Sequence, residues 1–213
     1  LKFLIFAAKF HVLCNFSSGV LVKKNMKHLS DSEIIDSVLL GNANDYSLLI
    51  ARYKNKAFSL LKRMLKNEMD AEEVLQDSFV KAYFGLKSFK KEAKFSTWFY
   101  RIVYNSAVTK LSSKRRKIEQ EMLSVDDEEN PLHLAMPEWE FNKEKHELLH
   151  AAIRELPENY SAVVTLFYLE DMTGEEIAEV MNTSVGNVKV VLYRSRLALK
   201  EIISKKDLKK ELV

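Results

Sequence analysis

Phe95-Ser96-Thr97-Trp98-Phe99-Tyr100-Arg101-Ile102-Val103-Tyr104-Asn105, running on as SAVTKLSSKRRK to Lys117, is the stretch on which the fold turns. Four aromatics (Phe95, Trp98, Phe99 and Tyr100) crowd a helix start, Tyr104 follows one turn later, and the segment ends in a dense basic run. Ser96 opens it as a candidate N-cap. Two structures suit the pattern. In one, the aromatics are the core stripe of an amphipathic helix with a solvated basic tail. In the other, aromatic faces stack on unpaired bases while Lys and Arg hold the phosphates.

The rest of the chain frames that segment. Its 213 residues suffice for one domain or two small ones, and a hydrophobic share of 47% is enough for a core. With only 5 Gly and 3 Pro, and no sustained alternation at period two, the sequence predicts an all-α fold. A net charge of +3 does not by itself indicate nucleic acid, but its distribution is segregated. Lys110, Lys114, Arg115, Arg116 and Lys117 form a basic block, followed by Asp126, Asp127, Glu128 and Glu129. A single cysteine, Cys14, excludes an internal disulfide framework and fits a reducing, cytoplasmic compartment.

Residues 1–25 differ in character. LKFLIFAAKFHVLCNFSSGVLVKKN is apolar but broken by Lys9 and His11, whereas a membrane span needs about 20 mostly apolar residues. It loosely resembles a signal peptide, with Lys2 before an apolar run. The expected start is Met26, with 1–25 as translated upstream sequence and an N-terminal apolar anchor as the alternative.

Capping signals divide the remainder. Ser30 and Glu33 form an S-x-x-E box for a helix to about Leu40, stopped at Gly41. Asn44 is a candidate cap for a helix to about Lys66, and Asp70 with Glu73 for one to about Leu86. Lys87–Lys94 reads as a basic loop before the aromatic helix. From Ile118 to about Trp139, acids, Asn130, Pro131 and Pro137 mark a linker. Helices resume at about Glu140–Glu155 and, after Pro157, at about Glu158–Glu170. Thr173 and Glu176 then box a short helix to Met181, Asn182 takes the left-handed cap, and Ser184 caps a last helix to about Ser204. Short helix, tight turn and longer helix describe a helix-turn-helix. Ala178 permits a close crossing, and Ile177, Val180, Val185, Val188 and Leu192 fill it. Asn187, Lys189, Val190, Tyr193 and Arg194 are left on the exposed face. An αα-hairpin with a solvated basic face is the simpler alternative.

Together these segments resemble a bacterial RNA polymerase sigma factor, sigma-70 family, of the extracytoplasmic-function (ECF) type, from Met26 to about Glu201. Five motifs carry the resemblance, in the family's order: DAEEVLQDSF at Asp70–Phe79, FSTWFYRIVYN at Phe95–Asn105, LPENY at Leu156–Tyr160, EEIA at Glu175–Ala178 and SVGNVK at Ser184–Lys189. The resemblance implies a region 2 domain over 26–117, an acidic linker over 118–139 and a region 4 helix-turn-helix domain over 140–213. It implies that Asp70, Glu72, Glu73, Gln76, Asp77 and Phe79 bind core polymerase on a coiled coil of β′, with β also in contact. Promoter DNA at the −10 element would meet Phe89, Lys90, Lys91, Lys94, Phe95, Thr97, Trp98, Tyr100, Arg101, Tyr104, Asn105, Arg115 and Arg116, with a base held flipped out. The −35 element would meet Thr173, Ser184, Asn187, Lys189, Val190, Tyr193, Arg194 and Arg196. An anti-sigma factor is implied as a further partner; no cofactor and no catalytic chemistry are implied. Three positions depart from the family pattern. Thr109 stands where many relatives have an acid or amide, Ser161 follows Tyr160 where Arg is common, and Val190-Val191 replaces a Ser-Arg pair.

Two other readings are open. His146-Glu147-Leu148-Leu149-His150 matches the H-E-x-x-H pattern of zinc hydrolases, with Glu147 as base; the metzincin extension fails, and Glu170, Glu175 or Glu176 lies far enough downstream to be a third ligand, although Glu175 and Glu176 sit in the helix-turn-helix cap. A stand-alone helix-turn-helix regulator would explain the C-terminal half but not the motifs at Asp70–Phe79 and Phe95–Asn105.

Overall fold

The computed structural model describes residues 29–121 and 143–211, with side chains over 29–115 and 149–205. Residues 1–25, most of the acidic linker and the Arg116 side chain lie outside the described residues. Among the described residues the regular structure is wholly helical, as the composition predicts, and no helix is long and apolar enough to cross a membrane.

The N-terminal group has four helices: α1 (Asp31–Leu39), α2 (Tyr46–Leu65), α3 (Glu68–Gly85) and α4 (Phe95–Glu121). The box at the head of α1 forms as read: the Glu33 carboxylate accepts the Ser30 N–H at 2.7 Å, and the Ser30 hydroxyl accepts the Glu33 N–H. Gly41, at φ +110°, turns the chain where a side chain would be strained. Three start signals differ from the sequence reading, the first being Ser96, which lies inside α4 rather than capping it because that helix begins at Phe95. Asn44 sits inside a 3-10 turn, Ala43–Asp45, that leads into α2. The cap of α3 is Asn67, whose side chain accepts the Asp70 N–H at 2.9 Å, so α3 begins before Asp70. Helix α4 runs past Lys117 to Glu121, into the segment assigned to the linker.

The C-terminal group has α5 (Lys143–Glu155), α6 (Glu158–Tyr168), α7 (Gly174–Met181) and α8 (Val185–Glu211). Ala152, Ile153, Leu156, Val164 and Leu199 form a core of its own. The two groups are not separate bodies. Helix α6 packs on α2 and α7 along α4, and buried residues of both groups form one continuous apolar cluster.

Phe99 stands at the centre of the N-terminal core, fully buried. Its ring stacks on Phe79 at 4.7 Å and on Phe95 at 5.8 Å, and Tyr53 leans against it at 5.7 Å. Tyr46 donates its hydroxyl to the Phe79 carbonyl at 2.7 Å, and burial pushes that phenol's ionisation well above its usual range. Phe99→Ala is expected to cost about 3–5 kcal/mol in urea unfolding. Leu40→Ala, at a residue 85% exposed, should change stability by less than about 0.5 kcal/mol in the same assay.

Candidate nucleic-acid interface

Three surfaces emerge from this packing. The first is the outer face of α3. Glu72, Glu73, Gln76 and Asp77 are all exposed on it. Phe79, grouped with them from the sequence, is 2% exposed and belongs to the core. Asp70 lies at the edge of this face and is held by α4: Lys114 contacts one oxygen and Lys110 approaches the other at 3.3 Å. Lys110 also binds Glu73 at 2.6 Å. The Lys114 contact holds the Asp70 carboxyl below the usual carboxylate range, and the Glu73 contact raises Lys110.

The second surface is the start of α4 with the loop before it. Residues 98, 99 and 100 project in three directions, since successive helical positions differ by about 100°. Phe99 enters the core. Trp98 turns to the loop, half-buried, with Phe89 at 4.9 Å. Gly85 makes room for it: a Cβ there would lie 2.9 Å from the Trp98 ring. Arg101 and Asn105 share the Trp98 stripe at helical spacing and are exposed. In the loop, Lys90 is exposed, while Lys91 is tied to Asp36 at 2.6 Å and to the Ser32 hydroxyl at 2.9 Å. Arg115 is exposed further along α4, and Tyr104 is half-buried, its phenol ionisation raised by burial.

Three residues read as −10 contacts are placed otherwise. Phe95 is 4% exposed, within the aromatic cluster. Thr97 is fully buried, because its helical phase carries it inward. Tyr100 is 1% exposed and donates its hydroxyl to Glu170 of the other group at 2.5 Å. Lys94 likewise reaches across, to Glu176 at 2.9 Å. The sequence offered Glu170 only as a candidate metal ligand, not as a partner of Tyr100. Its role comes from contacts between residues 70 positions apart.

The third surface is the helix-turn-helix, which forms with the boundaries read from the sequence for α7 and the turn. Thr173 and Glu176 cap each other across α7, Asn182 takes the left-handed cap, and Ser184 accepts the Asn187 N–H at 3.1 Å. Ile177, Val180, Val188 and Leu192 are buried between the helices. Asn187, Lys189 and Val190 are exposed along α8, and Arg194 is half-exposed. Tyr193 is placed differently from its reading: its hydroxyl is shielded from solvent, without a hydrogen-bond partner among the described residues. Arg196 is held by the Tyr168 hydroxyl at 2.6 Å and lies over that ring.

The zinc pattern finds no support here. The His150 ring nitrogen Nδ1 meets the buried Arg63 guanidinium at 3.0 Å, a donor where a metal would need an open lone pair. The His146 and Glu147 side chains lie outside the described residues, and among those described no three His, Cys, Asp or Glu side chains converge.

The family profile described as Sigma-70 region 2 matches residues 49–117, and that of Sigma-70 region 4 matches 146–199. The ECF RNA polymerase sigma-E factor of Haemophilus influenzae is 35% identical over 177 residues, 80% of this chain and 93% of that protein. The RNA polymerase sigma-H factor of Pseudomonas aeruginosa is 30% identical over 176 residues, 79% of this chain and 91% of its own length. Among solved structures, the sigma factor RpoE bound to the anti-sigma factor NepR, from Bartonella quintana, has the same fold at TM-score 0.59 and 18% identity, covering 75% of this chain and 97% of that one. CnrH with the cytosolic domain of CnrY gives 0.57 at 19% identity, covering 81% and 96%.

The Asp70 cluster yields a pH prediction. Its folded pKa is lowered, so its contribution to stability is whole above the unfolded value, about pH 3.9, and is lost as pH falls through the folded value. Asp70→Asn is expected to lose up to about 1 kcal/mol at pH 7. The variant should also show a shallower acid limb when urea unfolding is repeated from pH 7 to pH 3.

Proposed function

The chain belongs to the ECF sigma factors of the sigma-70 family, and from that premise we propose how its surfaces divide the work. As a sigma factor it acts in transcription initiation, and the family is not an enzyme family. Region 2 spans 26–117 and region 4 spans 140–213, joined by the acidic segment 118–139. The exposed acids of α3, Glu72, Glu73 and Asp77 with Gln76, dock on the β′ subunit of core polymerase, where a basic partner complements them. Asp70 acts through Lys110 and Lys114, which it fixes beside that face.

The stripe of Trp98, Arg101 and Asn105, with Phe89 and Lys90 of the loop, meets the −10 element. Trp98 and Phe89 supply stacking faces for an unpaired base, and Arg101 and Lys90 neutralise phosphates. Asn187, Lys189 and Val190 enter the major groove at −35, where Val190 can touch a thymine methyl. The half-exposed Arg194 serves the backbone. The protein works in the cytoplasm, nucleoid-associated within holoenzyme, without catalytic chemistry of its own. An anti-sigma factor is proposed as its regulator, as NepR is the anti-sigma partner of the Bartonella quintana sigma factor RpoE.

The observation that carries this reading is the stripe of half-buried Trp98 with exposed Arg101 and Asn105, beside an exposed acidic face on the same helical group. A stand-alone regulator has no use for either. Run-off transcription with bacterial core polymerase on genomic promoter fragments tests it: discrete transcripts that require the added chain are expected. Trp98→Ala should lower promoter opening by about tenfold or more while core affinity holds, a stacking loss of about 1–3 kcal/mol. Equal loss of both would remove Trp98 from the melting step. Glu72→Lys with Asp77→Lys should weaken core binding by about tenfold or more. Glu73 is spared because it already holds Lys110. Unchanged core affinity would clear α3 of that role.

A further inference from the structure

Helix α4 carries no acid over Phe95–Lys117, against six cations, Arg101, Lys110, Lys114, Arg115, Arg116 and Lys117. That charge balance suits a polyanion. Arg101, Asn105, Val108, Thr109 and Ser112 follow one another at helical spacing, so they share one side of α4, and all five are exposed. They continue the stripe of Trp98 away from the loop. Val108 interrupts its polarity. Among the described residues of α4 it is the large apolar side chain left exposed, at 38%, while Val103 and Ala107 of the adjacent turns are buried. Thr109 joins it. Its hydroxyl donates to the Asn105 carbonyl, one turn back, at 2.8 Å, so its one hydrogen is taken by the backbone. Thr109 then has no donor for a base edge, and the group it adds to Val108 is a methyl. Helix stability does not explain two β-branched neighbours, because both lose side-chain freedom against the preceding turn. Core packing does not explain them either, since both face solvent.

We propose that Val108 and Thr109 form a methyl-reading pair that selects a thymine in the paired part of the −10 element, by apolar contact with its C5-methyl group in the major groove. The pair rests on the reading of α4 as the −10 surface. Along the helix, Val108 stands about 15 Å from Trp98, at about 1.5 Å per residue. That is four to five base-pair steps of about 3.4 Å each. A base stacked on Trp98 is unpaired, whereas this far along the stripe the DNA is still duplex and its major groove keeps the full pattern of edges. In that groove the thymine methyl is the apolar group, and guanine and adenine present acceptors that a pair without a donor does not satisfy. Arg101 on one side and Arg115 on the other, both exposed, flank the pair with positive charge for the phosphates.

The test uses the whole chain with core polymerase, on the promoter fragments that give run-off transcripts. Each thymine of the −10 element and of the duplex just upstream is replaced in turn by deoxyuridine, which removes the C5-methyl and keeps the base pair. Holoenzyme affinity is measured on each fragment. One thymine is expected whose replacement weakens binding about fourfold, the effect of burying about one methyl group. Val108→Ser with Thr109→Ser, at two exposed positions, is expected to bind the unmodified fragment at least about fourfold less tightly and to ignore deoxyuridine at that same thymine. Thr109→Val, which keeps a methyl and drops the hydroxyl, is expected to retain the sensitivity. Insensitivity of the native chain at every thymine overturns the pair. An equal deoxyuridine loss in the Ser double variant overturns it too, by placing the methyl against another residue, and so does loss of sensitivity in Thr109→Val. Failure of the native chain to bind or transcribe any fragment with core polymerase removes the −10 reading and the pair with it, whereas transcription that ignores deoxyuridine removes the pair alone.

Discussion

The contact between the rings of Phe79, Phe95 and Phe99 sets the rotation of α4, and much of the rest follows from that rotation. Three helices of the N-terminal group depend on it, because Tyr53 of α2 and Phe79 of α3 both close on Phe99. Once Phe99 is locked inward, its neighbours have no freedom to choose a side. Trp98 must face the loop, and Tyr100 must face the C-terminal group. A single buried ring thereby separates the surface proposed for nucleic acid from an internal contact across one residue. The core reading of the aromatic segment holds for Phe95, Phe99 and Tyr100, and leaves Trp98 as the residue to which the base-stacking proposal applies.

That division explains what the sequence could and could not disclose. Ser30 with Glu33, Thr173 with Glu176, and Asn182 act on backbone groups within a few positions, so their roles are visible locally. Asn67 and Asp70 show where local reading becomes ambiguous: both can cap, and only the packed helix decides that Asn67 does. Phe79 and Tyr100 show where it fails. Each sits in a motif whose residues were all read as contacts, yet its direction is set by helices distant in sequence. The joining of the two helical groups was likewise hidden, since an apolar stripe does not name the stripe that will cover it.

Charge behaves in the same way. The basic run at the end of α4 looks like a DNA-binding tail by composition, but Lys110 and Lys114 are spent on Asp70 and Glu73. Lys91 is spent on Asp36. Lys90, Arg101 and Arg115 are among the cations left exposed. Neutralising the others within the fold fixes α4 against α3, so the acidic face and the aromatic stripe are held at a constant angle to each other.

The joined arrangement of the two helical groups has a consequence for reach. A compact chain of this length has a radius of gyration of about 17 Å. Two promoter elements on the order of 25 base pairs apart are separated by about 85 Å of duplex at 3.4 Å per step. The joined form therefore cannot lay α4 on one element and α8 on the other. Covalent geometry lets residues 122–142 bridge at most about 70 Å, so the remaining distance must come from the dimensions of the groups themselves. For the proposed function, the contact between α4 and α7 that completes the core would have to open before both elements could be spanned.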